Sequence, residues 1–393
     1  MSAGPEPGDA RTDVGTAAPI PLLLPGGKVD PDAVRRAYED AAAQGDEAFL
    51  VRVRFELQRD LRSRLDKYLV SRVAFMSRSG LQRLVDGGGA KVNGRAAKAS
   101  TRLRGGDVVE LVIPPPPSGE ITPEEIPLGV LYEDRDLIVL NKQPDIIVHP
   151  ARSELSGTMI NGLAWRFRHV SSGALSPVGE EFARPGVVHR LDRNTSGCIV
   201  FAKTEEAHWK IGRQFEARTV DKRYIAVVHG HVRDDHQVID LPLGPHQSRA
   251  KGAREKRVVR HDDLGKPSVT ICRVRSRYVL DDGRRFTLVE LELKTGRTHQ
   301  IRVHLSHLGH AIVGDDMYGG RGLALGGEAE IVTQMLHAAL LAFEHPSGSG
   351  PMVFTAKPRK EIIDLLSYLA ANGSRQDVHV EGAVPLARVG LDT

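Results

Sequence analysis

The stretch Val188-His-Arg-Leu-Asp-Arg-Asn-Thr-Ser-Gly197 places one acidic residue in a polar, basic loop that leads directly into an apolar segment. Asp192 stands between Arg190 and Arg193, and nearby cations keep a carboxylate ionised by lowering its pKa. An ionised, positioned aspartate can act as a base, a metal ligand or a nucleophile. An aspartate in a basic loop is more often a structural ion pair or a helix cap. The apolar residues 197–202 predict a strand that would hold this loop in place.

Outward from this loop, the second part of the chain reads as strands separated by loops and a few helices. Apolar spacing predicts strands at residues 137–141, 197–202, 224–228 and 286–293, and helices at about residues 159–168, 205–217, 298–308 and 360–370. Because strands and helices do not alternate regularly, a doubly wound parallel sheet is disfavoured. We expect an α+β fold with a mixed, largely antiparallel central sheet and flanking helices and loops.

Two further segments carry side chains suited to a site in this part of the chain. Tyr224 follows Lys222 at the start of a strand, where its ring can stack on a base beside phosphate-binding cations, although such a tyrosine is most often core. In residues 291–305 a strand ends at a glycine turn, and Thr298 can cap a helix that carries His299 and Arg302 on one face. An arginine on an anchored helix can pair with a carboxylate and still reach a substrate.

The histidines of this helix and the loop after it raise the alternative of a metal-dependent RNA hydrolase. His299, His304 and His310 do not all face one way, and the carboxylate pattern of a helical zinc hydrolase is missing, so we expect no metal site. The glycine-rich residues 319–327 are not followed by the Lys-Ser/Thr pair of a phosphate-cradling loop, so nucleotide hydrolysis is not indicated.

Residues 61–104 form a strongly basic unit in a chain whose overall net charge is only +4. This unit has eleven basic residues and two acidic ones. Such a surface favours contacts with nucleic-acid phosphates, and the scarcity of aromatic residues favours recognition by shape and backbone over base stacking. A solvated basic face is the alternative interpretation.

Length and composition narrow the class of protein. At 393 residues the chain is long enough for two or three domains. The two cysteines, Cys198 and Cys272, are too few for a disulfide scaffold or a four-cysteine zinc site, and they suit a reducing compartment. No apolar run has the length of a membrane helix, and the N-terminus lacks the pattern of a secretory signal. We therefore expect a cytoplasmic location and no membrane partner.

The basic unit resembles the S4-type RNA-binding domain of ribosomal proteins and RNA-modifying enzymes. The resemblance rests on Arg64-Leu-Asp-Lys-Tyr-Leu69, Ser77-Arg-Ser79, Leu84-Val85, Val92-Asn-Gly94 and Gly105-Gly-Asp-Val-Val109. One departure is Asp86-Gly-Gly-Gly89, where the additional glycine should loosen the turn. The residues expected to dock RNA are Arg64, Lys67, Arg78, Arg83, Lys91, Asn93 and Arg95.

The remainder of the chain resembles the RluA-type pseudouridine synthase family. The loop His189-Arg-Leu-Asp-Arg-Asn-Thr-Ser-Gly197 matches the family's signature, and the other motifs follow in the expected order: Lys222-Arg-Tyr224, residues 294–302, Gly314-Asp315 with Tyr318-Gly319, and Leu336-His-Ala338. The resemblance covers roughly residues 61–368. Asn141-Lys-Gln-Pro-Asp145 departs from the usual Lys-Pro-x-Gly, because its proline is shifted and an aspartate replaces the glycine.

The resemblance implies a pseudouridine synthase fold and the isomerisation of uridine to pseudouridine within RNA, without cofactor or metal. Asp192 would be the essential carboxylate, Tyr224 would stack on the target uracil, and Arg302 would pair with Asp192 and help to open the RNA stack. Arg190 would contact the flipped-out nucleotide and Leu336 would line the base pocket. The other expected substrate contacts are His189, Arg193, Thr195, Lys222, Arg297, His299 and Gln300.

Family members with an S4-type domain mostly act on large-subunit ribosomal RNA, so 23S rRNA or a pre-ribosomal particle is the expected partner of a monomeric enzyme. The alternatives are a catalytically silent RNA-binding or ribosome-assembly factor and a tRNA-directed synthase. The expected domains are a partly disordered N-terminal extension at 1–55, the S4-type domain at 56–113, a proline-rich linker at 114–120, the catalytic domain at 121–370 and a C-terminal tail at 371–393. Within the extension, a helix from Pro31 to about Ala43 and a strand over residues 49–57 are predicted.

Overall fold

The computed structural model describes residues 22–43, 50–61, 63–76, 78–113, 121–150, 156–178, 184–247, 256–326 and 329–391. The predicted linker at 114–120 and the first 21 residues of the predicted extension lie outside the described residues. Ser77 of the S4-like pattern and Gly327 of the glycine-rich stretch also lie outside them.

The small domain packs three helices against a four-stranded antiparallel sheet with the strand order β3-β6-β4-β5. A separate hairpin of β1 and β2 lies beside it. In chain order the elements are β1 (Leu23–Leu24), β2 (Lys28–Val29), α1 (Pro31–Ala43), β3 (Val51–Glu56), α2 (Leu65–Arg72), α3 (Arg78–Leu84), β4 (Ala90–Val92), β5 (Arg95–Ala96) and β6 (Val108–Ile113). A π-helical turn at Val85–Gly89 continues α3.

The small domain begins earlier than the sequence analysis placed it. Strand β3, which was assigned to the extension, pairs with β6 along its whole length. Its residues Val51, Val53 and Phe55 are buried in the core, whereas the arginines between them are exposed. Helix α1 buries Val34 in the same core. The alternating pattern predicted the strand correctly, but only its pairing shows to which domain it belongs.

A buried carboxylate organises the basic face of this domain. Asp66 has no exposed surface and accepts hydrogen bonds from Arg64 Nε at 3.1 Å, from Arg78 Nη2 at 3.0 Å and from Gln82 Nε2 at 3.3 Å. Both arginines leave half or more of their side chains exposed, at 50% and 61%. Asp66 therefore fixes the positions of two cations without hiding them from an anionic partner.

Replacing Asp66 with asparagine should lower the free energy of unfolding by about 1.5–3 kcal/mol, the range for a hydrogen bond to a charged group. Denaturant unfolding followed by circular dichroism measures this change. Asp86→Asn is the matched control, because Asp86 is exposed, and its effect should stay within about 0.5 kcal/mol. Equal stability of the two variants would contradict an organising role for Asp66.

The large domain is built on a ten-stranded sheet with the main order β11-β14-β15-β10-β18-β9-β8-β7, with β19 on β18 and β20 on β14. The pairing of β18 with β9 is parallel and the other pairings are antiparallel. The elements are β7 (Gly129–Glu133), β8 (Leu137–Lys142), α4 (Met159–His169), β9 (Ser196–Ala202), α5 (Glu205–Glu216), β10 (Asp221–His229), β11 (His236–Asp240), β12 (Leu243–Pro245), β13 (Arg257–Val259), β14 (Val269–Leu280), β15 (Arg285–Leu293), α6 (Gln300–His307), β16 (Leu323–Gly326), β17 (Ala329–Ile331), β18 (Leu336–Glu344), β19 (Pro351–Thr355), α7 (Lys360–Ala371) and β20 (Gly373–Asp377). The predicted α+β class with a mixed, largely antiparallel sheet is confirmed.

Helix α6 begins two residues later than predicted. Thr298 does not cap it; the N-cap is His299, whose φ of 58° lies in the left-handed region. The chain enters the helix in this conformation after the preceding strand and turn. His299 therefore lies at the N-terminus of the helix and not on one of its faces.

Residues beyond 371, predicted as a tail, join the sheet. Strand β14 is long: its first part pairs with β11 and its last five residues, Ser276–Leu280, pair with β20. The chain then returns across the sheet, where Val384 N donates to Glu290 and Val384 O accepts from Arg275. Val389 and Leu391 are buried in the main core. The end of the chain thus completes the sheet that carries the site.

None of the helices in the described residues combines the length and the apolar character needed to cross a membrane.

Candidate active site

The loop that carries Asp192 is fixed at its far end by a close approach of two strands. Gly197, in β9, has φ 116°, and a Cβ added there would lie 2.2 Å from the carbonyl oxygen of Ala338 in β18. Only glycine permits this approach. The parallel contact of β9 with β18 is therefore possible because the signature stretch ends in glycine.

A buried lysine anchors the same loop from below. Lys142, at the end of β8, is fully buried, and its Nζ donates to the carbonyl oxygens of Arg193 at 2.6 Å, Thr195 at 2.9 Å and Gln143 at 3.0 Å. Burial lowers the pKa of Lys142 to about 7, although the charge of Asp192 opposes this shift. Lys142 is part of a motif that is visible in the sequence, but no role was predicted for it.

The departure next to Lys142 keeps the backbone conformation that a glycine adopts easily. Asp145 stands where the family pattern has glycine, and its φ is 58°. Aspartate is among the residues that tolerate the left-handed region. The substitution therefore leaves the path of this loop compatible with the anchoring by Lys142.

Asp192 is held by an arginine that is itself held by a second carboxylate. Arg302, on α6, donates from Nη1 to Asp192 Oδ2 at 3.0 Å. Its Nε and Nη2 donate to the two oxygens of Asp315, both at 2.8 Å, and Asp315 is fully buried. This bidentate pair orients the guanidinium before it meets Asp192. Asp315 was quoted as a motif residue, but this supporting role was not predicted.

The electrostatics of the site keep Asp192 ionised. Burial raises the pKa of its carboxyl, but His299, Arg302 and Arg190 together lower it below the ordinary value. Burial also lowers the pKa of His299, although the charge of Asp192 opposes this shift, and Arg302 is the permanently charged partner of Asp192. His299 Nε2 lies 3.9 Å from Asp192 Oδ1. Asp192 is thus a carboxylate with 24% of its side chain exposed.

Tyr318 closes the cluster behind these groups. Its ring lies 4.9 Å from the guanidinium of Arg302, and its hydroxyl is 2.8 Å from His299 Nδ1. The hydroxyl also accepts from the backbone N–H of Arg257. Burial raises the pKa of Tyr318, so it remains a neutral phenol. It fixes both partners of Asp192 and was not predicted as a site residue.

The structure brings most of the predicted site residues around one pocket. Asp192, Tyr224 and Arg302 line it, and so do eight of the predicted substrate contacts: His189, Arg190, Thr195, Lys222, Arg297, His299, Gln300 and Leu336. Arg193 is not among the residues lining it. Its exposed guanidinium lies 4.0 Å from the carboxylate of Asp145.

Some of the lining residues build the walls of the pocket. His189 Nε2 accepts from Val200 N at 3.0 Å, and burial lowers the pKa of His189 to about 3. Gln300 is buried, accepts from Thr295 Oγ1 and Arg297 N, and donates to Val269 O. These polar atoms have hydrogen-bond partners within the protein, so both residues also have a structural role in the pocket wall.

An aromatic residue missed by the sequence analysis also lines the pocket. Phe215, near the end of α5, stacks on His189 with ring centroids 4.5 Å apart and an interplanar angle of 21°. Lys222 Nζ lies 5.6 Å from the centre of the Phe215 ring. The helical spacing predicted α5, but nothing in the sequence indicated which end of it meets the site.

Five of the seven predicted RNA-docking residues lie on the exposed surface of the small domain, and the other two also make contacts that hold the protein together. Lys67, Lys91 and Arg95 are exposed, as are Arg64 and Arg78 around Asp66.

The two remaining predicted docking residues, Arg83 and Asn93, make structural contacts within the protein. Arg83 Nε pairs with Glu205 Oε1 of the large domain at 2.9 Å. Asn93 donates to Asp107 and accepts from Val108 N, which fixes the β4–β5 hairpin to β6. The structure thus gives Arg83 and Asn93 structural contacts that the sequence analysis did not predict.

Within the described ranges no group of three or more His, Cys, Asp or Glu side chains is arranged to hold a metal ion. His304, one of the histidines that suggested a metal, is fully buried between Thr270 Oγ1 and the carbonyl oxygen of Leu241.

Two family models match this chain. The RNA pseudouridylate synthase model matches residues 136–307, which include Asp192, Tyr224 and Arg302. The S4 domain model matches residues 63–109. Both matches lie within the domains that the structure shows.

Curated relatives match most of the chain. An uncharacterized RNA pseudouridine synthase of Bacillus subtilis is 38% identical over 312 residues, which are 79% of this chain and 95% of the relative. Ribosomal large subunit pseudouridine synthase D of Vibrio vulnificus is 35% identical and covers 79% of this chain and 91% of the relative. The solved structure of human RNA pseudouridylate synthase domain containing 1 is 27% identical, with a TM-score of 0.48, and covers 67% of this chain and 94% of that chain. The similarity to these relatives shows that the chain belongs to the RNA pseudouridine synthase family, and it carries an S4 domain ahead of its synthase domain.

Proposed function

We propose that this protein converts uridines of large-subunit ribosomal RNA to pseudouridine, with Asp192 as the essential carboxylate acting on a flipped-out nucleotide. The observation that carries the proposal is the setting of Asp192. It lines a pocket together with Tyr224 and is ionised by Arg302, which Asp315 holds in place.

The reaction is an internal rearrangement. The bond between uracil N1 and the sugar C1′ breaks, the uracil turns, and a bond forms between C5 and C1′. The proton on C5 leaves and N1 gains one, so atoms and electrons balance without an oxidant or reductant. Asp192 can attack C1′, remove a 2′ proton or attack C6 of the base, and each route begins from the ionised carboxylate that the site maintains.

Access to the target requires the uridine to leave its stack, at a cost of a few kcal/mol. Stacking on the ring of Tyr224 returns part of that cost. Leu336 supplies an apolar wall to the same pocket. The detached uracil must stay next to the sugar while it turns, and a lined pocket prevents its escape.

The choice of ribosomal RNA rests on two supports. Two relatives that match this chain over more than nine tenths of their own length are named ribosomal large subunit pseudouridine synthase D. The S4 domain exposes Lys67, Lys91 and Arg95. Such cations suit a folded RNA whose phosphates are recognised by position.

The proposal is tested by incubating the protein with unmodified 23S rRNA and, separately, with unmodified tRNA, and then mapping pseudouridine at single-nucleotide resolution. Product in 23S rRNA with the wild type, and none with Asp192→Asn, is the expected result. Product in tRNA alone would replace the proposed substrate. Binding of RNA without product in either would make the protein an RNA-binding or assembly factor.

Reversing three exposed charges of the S4 domain should weaken RNA binding. In the triple variant Lys67→Glu, Lys91→Glu and Arg95→Glu, the plot of log affinity against log salt should become shallower. The magnitude of its negative slope should decrease by up to about 3, since each phosphate contact contributes about 0.9. Filter binding at several salt concentrations measures it. Lys360→Glu, an exposed change on α7, is the control and should leave the slope unchanged. An unaltered slope in the triple variant would remove these residues from the RNA interface.

A further inference from the structure

Helix α5 contributes to the cores of both domains. Its residues Ala207 and Ile211 are buried in the large domain with strands β9 and β18. Trp209, on the same helix, is 7% exposed and belongs to the hydrophobic core of the small domain. A helix of the synthase domain therefore supplies a core residue to the S4 domain.

Two glycines of the turn at residues 86–89, Gly87 and Gly88, contact this helix. A Cβ added at Gly87 would lie 2.9 Å from Cδ1 of Trp209, and one added at Gly88 would lie 2.1 Å from Nη2 of Arg213. Arg213 Nη2 donates to the carbonyl oxygens of Gly87 at 3.1 Å and Gly88 at 2.8 Å. The glycines, expected to loosen the turn, instead bring the backbone against Trp209 and Arg213.

Ion pairs stand at both ends of the contact. Arg83 pairs with Glu205 at the first turn of α5, and Arg52 of β3 pairs with Glu216 at its last turn. The small domain thus contacts the helix over its full length.

The same helix reaches the pocket. Phe215 stacks on His189 and lines the pocket that contains Asp192. One rigid element therefore connects the S4 domain to the wall of the active site, with no flexible segment between Trp209 and Phe215.

We propose that α5, seated in the glycine turn at residues 86–89, locks the S4 domain to the synthase domain, and that this fixed spacing selects which uridine of a structured RNA reaches the pocket. Trp209 and Arg213 are then positioning residues for substrate selection. The inference rests on the proposed function, because it concerns how that reaction chooses its site.

Fixed geometry has a direct consequence for an RNA that contacts both domains. Two linked binding sites reinforce each other only when their separation matches the ligand, and the gain is lost when the geometry varies. A locked S4 domain presents its basic face at one distance from Asp192. The rate and site of modification of an RNA too short to reach the S4 domain should not depend on how the two domains are held together.

The lock is observed directly through Trp209. The chain has two tryptophans, so Trp165→Phe leaves Trp209 as the sole indole emitter. In that background we expect blue-shifted emission and weak quenching by acrylamide. Adding Gly87→Val, whose side chain would overlap the indole, should shift the emission to the red and increase quenching. Gly212→Val is the matched control, because a Cβ at Gly212 meets nothing within 4 Å and valine suits a helix no worse than glycine.

The lock is linked to selection by comparing two RNAs. With a ribosomal RNA fragment long enough to contact both domains, Gly87→Val should lower kcat/KM by about tenfold or more and spread the product over additional uridines. With a short hairpin that carries only the target loop, Gly87→Val and the wild type should be equal. Gly212→Val should match the wild type on both RNAs.

A charge exchange separates domain contact from RNA contact at Arg83. Arg83→Glu should lower activity on the long RNA by about two- to fivefold, the size expected of an exposed ion pair, and should increase quenching of Trp209. Adding Glu205→Arg should restore both the low quenching of Trp209 and the activity on the long RNA. Lack of restoration in both readouts would mean that Arg83 does not act through Glu205.

The outcomes are distinguishable from failure of the proposed function. If the wild type forms no pseudouridine in either RNA, the proposed function fails. If the wild type is active and Gly87→Val exposes Trp209 without changing rate or site on the long RNA, the lock does not select the substrate. Strong quenching of Trp209 in the wild-type background would show that α5 is not seated in the glycine turn.

Discussion

Asp192→Asn is expected to lower kcat for pseudouridine formation by about 1,000-fold or more while leaving RNA affinity unchanged. The carboxylate lines the pocket beside Tyr224, and a group that acts in the chemical step affects kcat without affecting ground-state binding. Asparagine keeps the shape of the side chain and one acceptor for Arg302, so the loop should remain in place. Single-turnover assays with saturating enzyme measure the chemical step, and filter binding measures affinity.

The control for this change is Asp145→Asn. Asp145 lies near the same loop, its side chain is 87% exposed, and its left-handed conformation is one that asparagine also adopts. Its rate should equal that of the wild type. Retention of a rate within tenfold of wild type by Asp192→Asn would exclude this carboxylate from the reaction.

Arg302→Gln should be the most damaging change for stability and should also impair activity. Asp315 would keep its burial but lose the two hydrogen bonds that compensate it. Removing one partner of a buried ion pair costs about 3–5 kcal/mol. Denaturant unfolding should show a loss of this size, and activity should be measured at a temperature where the variant is still folded.

The same variant should change the pH dependence of the reaction. Arg302 helps to hold the pKa of Asp192 below its ordinary value, so its removal raises that pKa. The active form is the carboxylate, which is lost as the pH falls through the pKa. The acid limb of the rate profile should therefore move to higher pH in Arg302→Gln.

Arg297→Gln provides the comparison for this pH effect. Arg297 lines the same pocket, whereas Arg302 donates a hydrogen bond to Asp192. Its variant should bind RNA less well and keep the acid limb of the wild type. A shift of the limb in both variants would mean that the general positive charge of the pocket, and not the contact with Arg302, sets the pKa of Asp192.

The parts of the fold that follow from side-chain patterning were predictable. Strand β9 is a nearly continuous apolar run, and β15 is rich in apolar residues and ends in alternating leucine and glutamate. The lack of regular alternation between strands and helices indicated a largely antiparallel sheet. Strand β20 was not predictable in this way, because Gly-Ser-Arg-Gln-Asp has no apolar alternation. Its strand conformation comes from backbone pairing with the free end of β14.

In the site, too, features within one stretch of sequence were predictable, whereas contacts between residues far apart in the sequence were not. Asp192 and its flanking arginine are visible in one stretch of sequence. Lys142 is separated from its acceptor Arg193 by 51 positions, and Arg302 from Asp192 by 110, so their contacts arise only when the sheet assembles. The resemblance to a known family identified the second pair but not the support from Lys142.

The contribution of Trp209 to the small domain also has a meaning for the order of synthesis. The ribosome makes the chain from the N-terminus, and Trp209 follows the last strand of the small domain by roughly a hundred residues. At about 5–20 residues per second, Trp209 is synthesised about 5–20 seconds after strand β6. The core of the S4 domain is then completed when α5 docks as part of the folded synthase domain. The RNA-binding surface therefore reaches its final position only when the catalytic domain has formed.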